Sequence, residues 1–157
     1  MTAAPSITIS PFRQSDQRAV QDLINAGLGE HWGSVNPEMN PDLFDIAQTY
    51  QKQVFLVVRS GIEIIGTGAL VGRSKITAEI VRMSVAPHFR RRGIGHRIID
   101  QLILIGRERG FQEVILETTT SWQAIINFYM AYGFKITHHL DGDTYFSLNL
   151  KKDPHKS

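Results

Sequence analysis

Arg90-Arg91-Arg92-Gly93-Ile94-Gly95 is the stretch on which the fold turns. It follows an apolar, strand-like run over residues 80–86 and opens an apolar-periodic run over residues 94–105. A strand that turns through glycines into a helix start is a place to hold phosphate. The first four N–H groups of a helix have no internal partner, and the helix dipole puts positive potential there. Gly93 and Gly95 carry no Cβ, so a ligand can approach the backbone closely. The three arginines add charge. The pattern points to a phosphorylated cofactor rather than to a metal or a bare apolar molecule.

Outward from this turn, Ile94, Ile98, Leu102 and Ile105 fall on one face of the predicted helix, which Gly110 ends. Residues 114–116 continue as a central, parallel strand, so strand, helix and strand form a right-handed βαβ unit. A further helix over 121–132 is closed by Gly133. Residues 134–138 and 144–150 then pair as a hairpin through Leu140-Asp141-Gly142-Asp143. On the N-terminal side, Ile7 and Ile9 mark a first strand. Ser15-Asp16 caps a helix running to about Ala26 and ended by Gly27, and residues 28–40 read as an irregular connector. A second helix runs over 41–51. Residues 54–58 and 62–71 form a hairpin, and residues 75–86 form the next strand. Gly66 and Gly68 inside a strand suggest a bulge or a close backbone approach. The expected fold class is α+β: one domain over 1–150, a mixed, mostly antiparallel sheet of about seven strands, about four helices, and a polar tail over 151–157.

The 157 residues suit one sizeable core, and 42% hydrophobic with 20% charged residues is ordinary for a globular chain. Net charge is only +2, short of the clustered excess that a nucleic-acid binder shows. With no cysteine there is no disulfide framework, thiolate nucleophile or Cys-ligated zinc. His138, His139, Asp141 and Asp143 match no strong metal spacing, and the aspartates are explained by the turn, so no metal is expected. No basic patch and apolar core open the chain, and no apolar run nears the roughly 20 residues of a membrane span. A cytoplasmic protein is the expectation.

The order of elements and three motifs together resemble the GNAT superfamily of N-acetyltransferases. Residues 78–87, Ala-Glu-Ile-Val-Arg-Met-Ser-Val-Ala-Pro, look like that family's fourth strand. Residues 90–95 match its Arg/Gln-x-x-Gly-x-Gly/Ala signature. Residues 128–134, Phe-Tyr-Met-Ala-Tyr-Gly-Phe, match its Tyr-x-x-x-Gly-Phe ending of the fourth helix.

The resemblance implies acetyl transfer from acetyl-coenzyme A, as cosubstrate, to an amine of a small molecule or peptide by direct attack on the thioester, without a metal. It implies a sheet splayed between strands 4 and 5 to admit the pantetheine arm. Arg90, Arg91, Arg92, Gly93, Ile94, Gly95 and His96 would hold the coenzyme's phosphates. Met83 and Val85 would hydrogen-bond the arm as an added strand, and the backbone N–H of one of them would steady the oxyanion. Tyr129 would supply a proton or hydrogen bond to the departing thiolate. Glu79, or a water network, would take the proton of the attacking amine, whose ordinary pKa of about 10.4 keeps it charged at neutral pH. The asparagine that often opens the fourth helix is replaced by Trp122, which shifts that coenzyme contact to Asn127 or removes it. Glu30, His31 and Trp32 lie where the family places its variable acceptor loop, and Glu30, Glu38, Asp42 and Asp45 hint at a cationic acceptor. A homodimer is the assembly the resemblance suggests.

Competing readings stand beside these. Tyr129 also suits a core aromatic among Phe128, Tyr132 and Phe134, Glu79 also suits a pair with Arg82, and Trp122 suits burial. A non-catalytic acyl-coenzyme A sensor on the same fold is the alternative function. A nucleic-acid-binding domain, resting on the arginines alone, is disfavoured.

Overall fold

The computed structural model describes residues 6–34 and 36–151. The expectations for the first residues and for the tail beyond Lys151 lie outside them. The element order is β1 (Ile7–Pro11), α1 (Gln17–Trp32), α2 (Ile46–Thr49), β2 (Val54–Ser60), β3 (Glu63–Gly72), β4 (Thr77–Val85), α3 (Ile94–Glu108), β5 (Glu113–Thr119), α4 (Gln123–Tyr132), β6 (Lys135–Leu140) and β7 (Asp143–Asn149), with short 3-10 turns between. The strands form one seven-stranded sheet in the order β1-β2-β3-β4-β5-β7-β6. This is the expected α+β sheet with four α-helices. Among the described residues no helix is long and apolar enough to cross a membrane.

The chain divides into two compact units. The first comprises residues up to Ala69 together with Arg82–Asp100. Its β1 pairs antiparallel with β2, from Ile7 opposite Ser60 to Pro11 opposite Leu56. Its core holds Val20 and Ile24 of α1, Leu43, Ile46, the continuous apolar run of β2, Ile65, and Ile94, Ile98 and Ile99 of α3. Gly66 confirms the close approach read from the sequence: a Cβ there would meet the Ser84 carbonyl at 3.2 Å and Val58 Cγ2 at 3.3 Å.

Helix α1 runs five residues past the expected stop at Gly27, to Trp32. Gly27 sits on the helix face against Ser84 Oγ, 3.5 Å from where a Cβ would be, an ordinary contact, and is accommodated inside the helix. Gly33 is the actual terminator: its φ of 77 is left-handed and its N–H bonds Gly29 O at 2.8 Å. The expected helix over 41–51 is instead a 3-10 turn, Pro41–Leu43, and the single turn of α2, whose N-cap Asp45 accepts from Gln48 N.

The second unit comprises Leu70–Val81 and the chain from Gln101 on. Here β4 and β5 are parallel, but the ladder joins only Thr77, Ala78 and Glu79 to Glu113, Val114 and Ile115. The brevity of this ladder agrees with the expected parting of strands 4 and 5. Strand β5 pairs antiparallel with β7 along its whole length, and β6 covers the far side of β7. Asp141 and Gly142 both have positive φ, 51 and 85, the mirror-image hairpin turn that Asp-Gly predicts. Ile126, Tyr129 and Tyr132 of α4 are buried, as are Phe134, Phe146, Val114, Leu116 and Leu148.

Candidate functional site

In the first unit, the signature turn has the backbone that an anion site needs. Arg90 is extended (φ −70, ψ 157), while Arg91 and Gly93 are left-handed with φ of 61 and 77. Nothing lies within 4 Å of where a Gly93 Cβ would be. Arg97 N–H bonds Gly93 O at 3.1 Å. The N–H groups of Ile94 and Gly95 open the helix ahead of that bond, where the first turn has no carbonyl of its own helix to reach. A helix start, alternating backbone hand and open space at Gly93 fit a diphosphate. The Arg92 guanidinium lies over the Phe89 ring, 5.4 Å from its centroid. His96 Nδ1 is 3.2 Å from Asp100 Oδ2, one turn along α3.

Arg90 itself is committed elsewhere. Its Nη1 and Nη2 each donate to one carboxylate oxygen of Glu30 at 2.8 Å, and its Nε donates to Val85 O at 3.0 Å. These hydrogen bonds hold the Glu30 carboxyl below its ordinary value. Glu30, His31 and Trp32 thus lie on the last turn of α1 rather than in an irregular connector. Trp32 is 60% exposed. Met83 and Val85 are half-buried in β4, and Val85 is the residue whose carbonyl Arg90 engages.

Between them and the start of β4 stands a feature that sequence reasoning missed. Arg82 has φ 55, left-handed, inside a strand. Its carbonyl accepts the Thr67 hydroxyl at 2.7 Å, with Thr67 fully buried. Its Nε and Nη2 donate to the two Asp42 oxygens at 2.9 and 2.6 Å, and Nη2 also reaches Asn40 Oδ1 at 3.0 Å. The Tyr50 hydroxyl donates to Asp42 Oδ2 at 2.7 Å. Burial pushes the Asp42 carboxyl up, but the hydrogen bonds from Arg82 and Tyr50 and the arginine's charge outweigh it and leave the carboxyl below its ordinary value. Burial and the bond to Asp42 push the Tyr50 phenol well up. Of the four acids that hinted at a cationic acceptor, Glu30 and Asp42 are therefore neutralised by arginines, and Asp45 caps α2.

In the second unit, Glu79 occupies the last rung of the parallel ladder, opposite Ile115. Its partner is Arg73, whose Nε and Nη2 both approach Oε1 at 2.7 Å. Arg82 is not the partner: three residues apart in a strand, the two side chains start on opposite faces. Tyr129 is 7% exposed on α4, with its ring 5.8 Å from those of Phe134 and Phe146. Burial raises its phenol pKa, so the group is protonated at neutral pH. Asn127 is exposed and accepts from Gln123 Nε2 at 2.8 Å. Trp122 is the half-buried N-cap of α4 and gives no side-chain cap. His138 stacks on Tyr145 at 4.4 Å, and His139 Nδ1 lies 2.9 Å from Thr144 Oγ1.

The likeness to known proteins follows this geometry. Rat (Rattus norvegicus) N-acetyltransferase 8F1 is 28% identical over 125 residues, 73% of this chain and 56% of that protein. The chain spans about half the length of the curated relatives it matches. The crystal structure of a GNAT-family acetyltransferase from Staphylococcus aureus Mu50 superposes with a TM-score of 0.84 at 20% identity, covering 92% of this chain and 99% of that one. The paia N-acetyltransferase of Thermoplasma acidophilum, solved with coenzyme A, gives 0.79 at 16% identity over 92% and 99% of the two chains. The sequence profile of the acetyltransferase (GNAT) family matches residues 18–134, and with its sheet order and signature turn this chain belongs to that family.

Proposed function

We propose that the protein transfers an acetyl group from acetyl-coenzyme A to a primary amine of a small molecule or peptide, and that residues 1–150 form the acetyltransferase domain. The observation that carries the reading is the turn over residues 90–96. Left-handed Arg91 and Gly93 lead into the start of α3, where main-chain amides can meet an anion, and the family match covers the turn. The diphosphate is held by those amides, with Arg91 and Arg92 supplying charge. Met83 and Val85 pair with the pantetheine amides through backbone groups. The Arg90 side chain is occupied by Glu30 and Val85 O, so it lends charge beside the turn rather than serving as the first phosphate ligand.

The amine nitrogen attacks the thioester carbon, the C–S bond breaks, and the amine loses a proton. Glu79, held by Arg73 at Oε1, takes that proton through water. Tyr129 donates a hydrogen bond to the departing thiolate. Its buried phenol is a weaker acid than an ordinary tyrosine, so hydrogen-bond donation, not full transfer, is the part it can play. Trp32, at the end of α1, is an acceptor-side contact.

Calorimetric titration with acetyl-coenzyme A, followed by an acetylation screen over polyamines, amino acids, aminoglycosides and N-terminal peptides, tests the reading. Binding with acetylated product supports it. A flat titration of folded protein removes it, and binding without any product favours an acyl-coenzyme A sensor. Tyr129→Phe should slow turnover about 10²-fold with coenzyme affinity nearly intact. Equal loss of both would return Tyr129 to the core.

A further inference from the structure

Arg82 holds a left-handed backbone conformation that is strained for an L-residue, so its surroundings must over-determine it. Two sets of contacts do so. On the main chain, the buried Thr67 hydroxyl fixes the Arg82 carbonyl. On the side chain, the guanidinium closes on Asp42 and Asn40, with Tyr50 completing the Asp42 carboxylate. Asn40, Asp42 and Tyr50 all belong to the stretch between α1 and β2. The same stretch is also tied by Gln17, which bonds Leu43 O, Phe44 O and Ile46 N, by the Tyr50 ring against Phe55, and by the buried Leu43 and Ile46. Its outer side carries Met39 and Phe44, 78% and 55% exposed. The residue after Arg82 is Met83, where the thioester arm is expected to pair.

We propose that Arg82 is a positioning residue for the amine acceptor. Its fork of hydrogen bonds to Asp42 and Asn40 fixes segment 40–50 against the kink of β4, so that the acceptor side is held in register with the Met83–Val85 backbone. This rests on the acetyl-transfer reading above. The guanidinium suits the task because its planar, paired N–H groups set a direction as well as a distance, which a lysine cannot do. Asp42 is consumed by this pairing, so the acceptor is not recognised through that carboxylate.

Two variants of the full chain test it: Asp42→Asn, which removes the charge with little change of shape, and Arg82→Lys, which keeps the charge but loses the fork. Hydrogen exchange over residues 40–50 should quicken by about tenfold in Asp42→Asn while α3 stays protected, a local opening rather than a global one. With the best acceptor from the amine screen, KM for the amine should rise about tenfold while kcat and the coenzyme A dissociation constant stay within about threefold. Should Asp42→Asn fail to fold, Arg82→Lys gives the same split at about a third of the amplitude. Unchanged exchange over 40–50, an unchanged amine KM, or coenzyme affinity lost in step with the amine KM would each overturn the proposal. A wild-type protein that binds no coenzyme A removes the acetyl-transfer reading, and the proposal with it, and is distinct from those three results.

Discussion

Arg82–Asp42 and Arg90–Glu30 are the same chemical device placed in two settings. Each is a guanidinium donating two hydrogen bonds to one carboxylate, and each joins β4 or the turn just beyond it to residues 40 to 60 positions earlier in the chain. They differ in burial: 19% and 25% side-chain exposure for the first pair against 43% and 38% for the second. They differ in backbone too. Arg90 is ordinarily extended, whereas Arg82 is left-handed. Water screens the Arg90 pair, so it is replaceable when an anion arrives at the turn. The Arg82 pair is largely shielded and must offset local strain, so losing either partner leaves a charge in a poor environment. The more conspicuous arginine, the one in the signature, is thus the less consequential for stability.

The largest expected effect follows from that asymmetry. Arg82→Ala should destabilise by about 2–3 kcal/mol, lying between exposed and fully buried pairs. For a chain of this size that is about 5–10 °C in melting temperature. Arg82→Gly separates strain from pairing, because glycine adopts the left-handed backbone freely. It should be more stable than the alanine variant by about 1 kcal/mol. Equal melting temperatures for the two would mean that strain at residue 82 is not a cost, and the contrast with Arg90 would reduce to burial alone.

Why the signature turn was legible and the Arg82 cluster was not comes down to range. The turn is written in adjacent residues. A change of apolar period from two to 3.6 brackets it, and Gly93 is needed where φ is 77. The hairpin turn at Asp141-Gly142 is equally local. Gly27 and Gly33 show the limit of such reading: both are glycines six residues apart, and only the second takes the left-handed backbone that stops the helix. The Arg82 cluster depends on a contact across 40 residues and on a left-handed arginine, which no residue preference announces. Glu79 was found as a candidate, but its partner Arg73 was not, since the pairing depends on how β3 returns into β4.

A middle-sized effect is expected from acid. Both carboxyls are depressed in the folded state, Glu30 by its hydrogen bonds to Arg90, Asp42 by its bonds from Arg82 and Tyr50 against the opposing effect of burial. A depressed carboxyl contributes stability that is fully present above its ordinary value of about 4 and lost as pH falls through the folded value. Denaturant midpoints should therefore hold steady from pH 7 to about 5 and fall below about 4. Asp42→Asn should flatten this acid limb visibly, and Glu30→Gln much less. Asp16, buried against Arg59 and also depressed, supplies a shared background in both variants. A larger flattening from Glu30→Gln would invert the ranking of the two pairs.

The smallest effect sharpens the comparison most at the proposed cofactor end. Glu30→Gln removes an exposed charge and should cost about 0.5 kcal/mol of stability, near the limit of detection. Yet the carboxylate it removes is the anion now seated on Arg90, one residue before the left-handed Arg91. With that competitor neutral, Arg90 keeps its bond to Val85 O and its positive field at the turn is no longer cancelled. Coenzyme A should then bind about two- to threefold more tightly, the size of effect an exposed, screened charge can have. Calorimetry at low and moderate salt measures it, and the gain should shrink as salt rises. Weaker binding in the variant would mean that the pair shapes the turn instead of competing for it, and Arg90–Glu30 would then join Arg82–Asp42 as a positioning contact.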